Sequence, residues 1–230
     1  MTLVHGVVLG AALLACGMTA AGAQETGNAA AYVVTYLEVG APATREAAGL
    51  LRQIAAADSR ETGNLISVAL EEIGRPDRLA LVEGWRDKAA LAAHQRAAEA
   101  SGLAAKVQAL LASPPDRRPN SALSVAPAAA TATPEAVYVL THVDIVPTAK
   151  EKAMPLIEQL ARGGRKEEGN LFFDAWYQDS RPNHFTLFEA WRSPQAFDAY
   201  RTAAGTREFR RDVLPMQGAL YDERLYRAVR

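Results

Sequence analysis

The chain contains itself twice. Tyr32-Val33-Val34-Thr35 is matched by Tyr138-Val139-Leu140-Thr141, and Glu61-Thr62-Gly63-Asn64-Leu65 by Glu167-Glu168-Gly169-Asn170-Leu171. Arg75-Pro76 is matched by Arg181-Pro182, and Glu83-Gly84-Trp85-Arg86 by Glu189-Ala190-Trp191-Arg192. Every pair is 106 positions apart, with no gap from Tyr32 to beyond Ala98. A frame kept over that length means one structural unit used twice, so two equivalent units must pack within one chain. The stretch between them, 126–136, is made of Ala, Pro and Thr up to Glu135, with two prolines and no apolar period. It reads as an extended linker, reaching roughly 30 Å at about 3 Å per residue.

Each copy carries the same order of elements. Tyr32 to Val39 is rich in β-branched and aromatic residues and reads as a strand. Ala43 to Ala57 places Ala47, Leu50, Leu51 and Ile54 at helical spacing. Leu65 to Ile73 and Leu79 to Trp85 read as strands around a turn at 74–77. Asp87, and in the second copy Ser193 followed by Pro194, are N-cap signals for the next helix. A helical stretch over Leu103 to Leu111 and a last strand near Ser121 to Val125 complete the copy, with Leu220 to Ala228 ending the second.

The order β-α-β-β-α-β is that of the ferredoxin-like split unit, an α+β arrangement with helices on one sheet face. The bare face has to be buried, and the other copy is the economical partner. The expected fold is two such units paired as an intramolecular α+β barrel with a pseudo-two-fold relation, behaving as a monomer.

Residues 1–23 stand apart from this frame. Val4 to Ala15 is apolar except for His5 and Gly6, and small residues lead to Ala21-Gly22-Ala23. The run is shorter than the roughly 20 residues that span a bilayer. It fits a secretory signal cleaved before Gln24, although no Lys or Arg precedes it. Export to the periplasm or medium is expected. The alternative is lipid anchoring through Cys16, since Leu13-Leu14-Ala15-Cys16-Gly17 resembles a lipoprotein box. In either case the single Cys belongs to the export segment, leaving the mature chain no disulfide and no thiolate nucleophile.

With 25 Lys+Arg against 26 Asp+Glu, the chain offers no basic surface for nucleic acid. The mature histidines, His94, His142 and His184, lie in different elements without a His-x-x-x-His pair, so no metal centre is expected. There is no Gly-x-Gly-x-x-Gly after a strand, no phosphate-binding Gly-Lys loop and no Gly-x-Ser-x-Gly elbow.

Chemistry can still be built around His94 and Trp85. Trp85 ends a strand, and His94 falls three residues after Leu91 on the inward helix face. An imidazole beside an indole reads either as a base in an apolar pocket or as a hydrogen-bonded core histidine. Phe197 and Tyr200 stand in the corresponding places of the second copy, with Trp191 in place of Trp85. Asn64 and Asn170 follow a Gly at a strand start, where Asn serves a turn or presents an amide to a pocket. Glu83 and Glu189 share the strand face of their Trp, and a local pairing with Arg86 and Arg192 is expected. His142 shares a strand face with Asp144.

The run from Glu61-Thr62-Gly63-Asn64-Leu65 through Glu83-Gly84-Trp85-Arg86-Asp87 to Ala90-Leu91-Ala92-Ala93-His94 resembles the antibiotic biosynthesis monooxygenase (ABM) domain family. The second copy resembles it through Glu167 to Leu171, Glu189 to Ser193 and Phe197 to Tyr200. The resemblance implies one such domain over 31–125 and another over 137–230. It also implies a paired α+β barrel and, by analogy, oxygenases of quinols and anthrones or haem-degrading enzymes. In the haem-degrading branch a helix Trp is followed further on by the iron-binding His. Here His94 and Tyr200 hold the Trp position, with Ala104 and Arg210 at the His position, so haem is not expected.

In the quinol-oxidising branch a His corresponds to His94. The resemblance thus implies a cofactor-free monooxygenase taking a small aromatic and O2. His94 would act as base, Asn64 would hold the oxyanion and Trp85 would form the aromatic wall. Asn170, Trp191, Tyr200 and His142 would contact substrate. The first copy is then the expected active one. A protein that binds or merely keeps the fold without chemistry is the competing reading.

Overall fold

The computed structural model describes residues 30–126 and 135–230; the segment read from sequence as a secretory signal, with Cys16, and most of the linker lie outside the described residues. The first copy comprises β1 (Ala31–Glu38), α1 (Thr44–Asp58), β2 (Asn64–Glu72), β3 (Arg75–Trp85), α2 (Lys88–Ser101), α3 (Leu103–Gln108) and β4 (Asp116–Ser124). The second comprises β5 (Val137–Asp144), α4 (Lys150–Gly164), β6 (Asn170–Gln178), β7 (His184–Trp191), α5 (Pro194–Arg201), α6 (Ala204–Val213) and β8 (Asp222–Ala228). Asp87 accepts from the Ala90 amide and Ser193 from the Ala196 amide, the two N-caps expected from sequence.

All eight strands close into one antiparallel barrel in the order β1-β3-β2-β8-β5-β7-β6-β4. The last strand of each copy makes the closure. β4 pairs with β1 of its own copy and with β6 of the other, and β8 pairs with β5 and with β2. The fold is therefore α+β, two ferredoxin-like repeats sharing one sheet. β4 begins earlier than its apolar pattern implies, because its first half runs through Asp116, Arg117, Arg118 and Pro119 against β1.

Alternation along the strands sorts three apolar layers. Tyr32, Val34, Val82, Tyr138, Phe172, Trp176, Phe188 and Tyr226 fill the barrel. Tyr32 stacks on Trp176 with centroids 4.5 Å apart. The opposite faces carry Leu79 and Leu81 against α1, and Phe185, Leu187 and Trp191 against α4 to α6.

One end of the barrel is polar and follows the pseudo-symmetry. The Tyr36 hydroxyl lies 2.7 Å from His142 Nε2, and these two residues are counterparts, 106 positions apart. Arg118 and its counterpart Arg224 both lie over the Tyr36 ring, at 5.1 and 5.6 Å. Each is held by its own carboxylate, Asp116 or Asp222, at 2.6 Å.

Candidate functional site

The site is assembled where the helices meet the outer sheet face. Gly63 adopts φ +90, which an L side chain tolerates poorly, and a Cβ there would sit 3.0 Å from Ala90 Cβ. Its carbonyl accepts from the Arg86 amide at 2.7 Å. This turn and the Asp87 cap seat the first turn of α2 on the end of β3, and two turns later His94 points back at the sheet. Its ring stacks on Trp85, 4.4 Å between centroids and 23° between planes.

Three carboxylates surround that imidazole. His94 Nδ1 lies 3.1 Å from Glu61 Oε1 and 3.7 Å from Asp58 Oδ1, while Nε2 lies 3.1 Å from Glu83 Oε1. Ser67 Oγ donates to the other oxygen of Asp58 at 2.9 Å. Asp58, Glu83 and His94 are each at most 6% exposed. Burial works against charge on His94, but the Glu83 and Glu61 contacts and the Asp58 charge outweigh it and lift its pKa to about 9. Burial raises Asp58 to about 6 against the Ser67 bond.

These facts revise two expectations. His94 is an imidazolium at neutral pH with both nitrogens facing carboxylates, so it is not a free neutral base. Glu83 turns to His94 and not to Arg86, whose Nε bonds Asp87 Oδ2 at 3.2 Å. The Arg86 backbone runs past the strand end to Gly63, which carries its side chain away from the Glu83 face.

The second copy keeps the architecture and changes the contents. Tyr200 stacks on Trp191 at 4.5 Å and 22°. Trp191 Nε1 donates to Glu189 Oε2 at 2.9 Å. Complete burial lifts Glu189 to about 8 against that bond, and burial holds the Tyr200 phenol well above its ordinary value. The counterpart of Asp58 is Gly164, that of Glu61 is Glu167, and that of His94 is Tyr200. At this position a cavity of about 320 Å³ opens between α4 and α6, lined by Leu156, Leu160, Gly164, Glu167, Tyr200 and Phe209 among others. The same place is thus filled by an ionised cluster in one half and opens as a cavity in the other. The cavity lies in the copy that sequence alone left inactive.

The remaining predicted residues fall elsewhere. Asn64 Nδ2 donates to the Ile66 carbonyl at 3.3 Å and Asn170 Nδ2 to the Phe172 carbonyl at 3.2 Å, each across a register shift at the strand start. Each amide thus bonds its own strand at the irregularity, and neither Asn has left-handed backbone. His142 belongs to the barrel end, where burial drives its pKa down to about 3 and leaves it neutral. Its Nε2 accepts from Tyr36 and its Nδ1 faces Thr186 Oγ1 at 3.4 Å, so it lines neither helix–sheet site. Asp58, Glu61 and Glu83 are the partners that sequence reasoning missed. The available signal was the difference between copies, Asp58 against Gly164 and His94 against Tyr200.

Comparison with known proteins agrees with this architecture. The family described as antibiotic biosynthesis monooxygenase matches residues 30–106 and again 136–212. A Fusobacterium nucleatum protein provisionally named a monooxygenase superposes with a TM-score of 0.79 at 15% identity, covering 88% of this chain and 94% of its own. A Lactobacillus acidophilus protein of the same provisional name gives 0.75 at 14%, covering 88% and 95%. A protein described as anthrone oxidase-like gives 0.64 at 13%, covering 88% and 92%. Among curated proteins nothing matches. At these identities the structures establish the two-copy fold, and the sequence match over more than half of the chain establishes the lineage. The chain belongs to the antibiotic biosynthesis monooxygenase family, with two of its domains in tandem.

Proposed function

We propose that this chain is an exported, cofactor-independent monooxygenase of a small phenolic, hydroquinone or anthrone-type aromatic, with O2 as co-substrate. Its reaction site is the cavity of the second copy. The observation that carries the reading is that cavity: about 320 Å³, at the low end of the range for small-molecule sites, with Leu156, Leu160, Tyr200 and Phe209 on its apolar side and Glu167, Glu208 and Asp212 among its polar groups, in a member of this family. Gly164, the counterpart of Asp58, brings no side chain to the cavity, and the Phe173 ring packs against it, 2.5 Å from where a Cβ would stand.

The chemistry needs a proton acceptor, an aromatic wall and exclusion of bulk water. Tyr200, backed by Trp191, is the wall against which a flat ring stacks. Tyr200 stays protonated, because burial holds its phenol far above neutral. Glu167, a carboxylate on the cavity wall, is the assigned proton acceptor. The deprotonated substrate gives an electron to O2, and the two radicals combine into a carbon hydroperoxide. In an anthrone-type substrate, loss of water then turns the reacting methylene into a carbonyl. One oxygen atom enters the product and the other leaves as water, and the four electrons that reduce O2 all come from the substrate.

Oxygen uptake on a panel of hydroquinones and anthrones tests the reading. A Cβ at Gly205, on the cavity wall, would meet nothing within 4 Å, so Gly205→Leu adds bulk at the cavity without a clash at Cβ. Uptake should fall at least tenfold in that variant and in Glu167→Gln. Unchanged uptake in both would place the reaction elsewhere. One observation favours a carrier without turnover: no histidine lines this cavity. Binding seen by ligand fluorescence without oxygen consumption would decide for the carrier. Export is tested by mass spectrometry of the mature N-terminus, which separates cleavage before Gln24 from lipidation at Cys16.

A further inference from the structure

The first copy's cluster has the composition of a metal site. We propose that Asp58, Glu61 and His94 Nδ1 bind one divalent transition-metal ion, and that the second copy has no equivalent. This site is separate from the proposed reaction cavity.

The three donor atoms, one from each residue, lie within 4.8 Å of one another. Donors bound at about 2.1 Å in adjacent positions are about 3 Å apart. His94 Nδ1 and Glu61 Oε1 are already at 3.1 Å, and Asp58 Oδ1 needs to close from 3.7 Å. The surrounding groups orient each donor. Glu83 faces Nε2 and keeps a proton there, so an ion binding at Nδ1 takes the place of the second imidazolium proton, which leaves to solvent. A carboxylate behind a ligating imidazole is the usual outer support of a metal-bound histidine. Ser67 holds one oxygen of Asp58 and leaves the other free for the ion. Trp85 fixes the imidazole plane by stacking.

A second observation points to a cation. Glu83 is 5% exposed, and its Oε1 has no partner besides His94 Nε2, 3.1 Å away. Among the described residues no Lys or Arg salt bridge reaches Asp58, Glu61 or Glu83, so three carboxylates are balanced by at most one imidazolium. Buried negative charge without a balancing cation is costly, and a divalent ion removes the imbalance. One imidazole with two carboxylates suits Zn2+, Mn2+ or Fe2+. Three protein donors leave coordination positions open, on the side where the Glu61 side chain is 34% exposed. In the second copy Gly164 and Tyr200 remove two of the three donors.

The test uses untagged mature protein stripped with a chelator, then titrated with Zn2+ by calorimetry and with Co2+ by absorption. One ion per chain is expected, with Kd below about 10 μM. Glu61→Gln and Asp58→Asn should each weaken binding at least tenfold, while Glu167→Gln in the second copy should not. If Asp58→Asn does not fold, the part-exposed Glu61 variant still decides. Millimolar binding by the wild type would overturn the proposal. So would binding unchanged in Glu61→Gln, which would mark an adventitious surface site.

Discussion

Trp191 gives its indole proton to Glu189, 2.9 Å away, and this is the bond that meets the fully buried carboxyl group. Burial dominates, so Glu189 carries its proton in the fold up to about pH 8, against 4.5 ordinarily. The folded state therefore binds more protons than the unfolded state between those values. Stability contributed by this group is full below pH 4.5 and is lost as pH rises to 8, by up to about 1.4 kcal/mol per unit. Glu189→Gln should flatten that limb. Urea midpoints at pH 5 and pH 8 check it, and equal slopes in variant and wild type would refute it.

The bond between Tyr36 and His142 predicts the opposite pH sense. His142 is neutral in the fold down to about pH 3, whereas the free imidazole protonates near 6.5. Its contribution is full above 6.5 and is lost as pH falls toward 3. Removing the hydroxyl with Tyr36→Phe leaves Nε2 buried and unbonded, at a cost of about 1–3 kcal/mol. Chemical denaturation at pH 7 measures that cost.

Two adjacent glycines of α4 should respond in opposite directions. A Cβ at Gly164 would lie 2.5 Å from a Phe173 ring carbon, and that ring is fully buried. Gly164→Ala is expected to cost about 1–3 kcal/mol by overpacking. Gly163 has open space at its Cβ position, so Gly163→Ala should gain about 0.5–1 kcal/mol from helix propensity. Thermal melts of the pair give the comparison, and a common sign would contradict it.

Half of the chain should not stay monomeric. Residues 135–230 alone would expose Tyr138, Phe172, Trp176 and Phe188, which now face the first copy inside the barrel. That fragment should elute as a dimer that rebuilds the barrel, or aggregate. The chain with both copies is expected to elute as a monomer in size-exclusion chromatography.

The fold was legible because duplication makes each copy a control for the other. The weak helix start at Asp87 is read through Ser193-Pro194, and both caps are present. The first half of β4 was not legible. Its charged residues and Pro119 carry no apolar alternation, and its place comes from pairing with β1 and from closing the barrel. The aromatic floor of the site was legible from spacing alone, since His94 stacks on Trp85 and Tyr200 on Trp191. The protonation state of His94 was not. Asp58 and Glu61 reach it from the end of α1 and the following turn, across a tertiary gap. A local rule of pairing Glu83 with its near neighbour Arg86 pointed the wrong way, because the strand turns the carboxylate under the helix.

Beside the axis of a dimer of identical chains, every residue meets its own image: hydroxyl faces hydroxyl and imidazole faces imidazole. Tyr36 and His142 are such images by position, yet one donates and the other accepts. Fusing two units into a single chain freed each from its twin, so complementarity replaced self-recognition at the centre of the barrel. The same freedom explains how an ionised cluster and an open cavity can occupy one address on opposite sides of the molecule. The halves are no longer interchangeable, and this protein is in effect a heterodimer inherited as one gene.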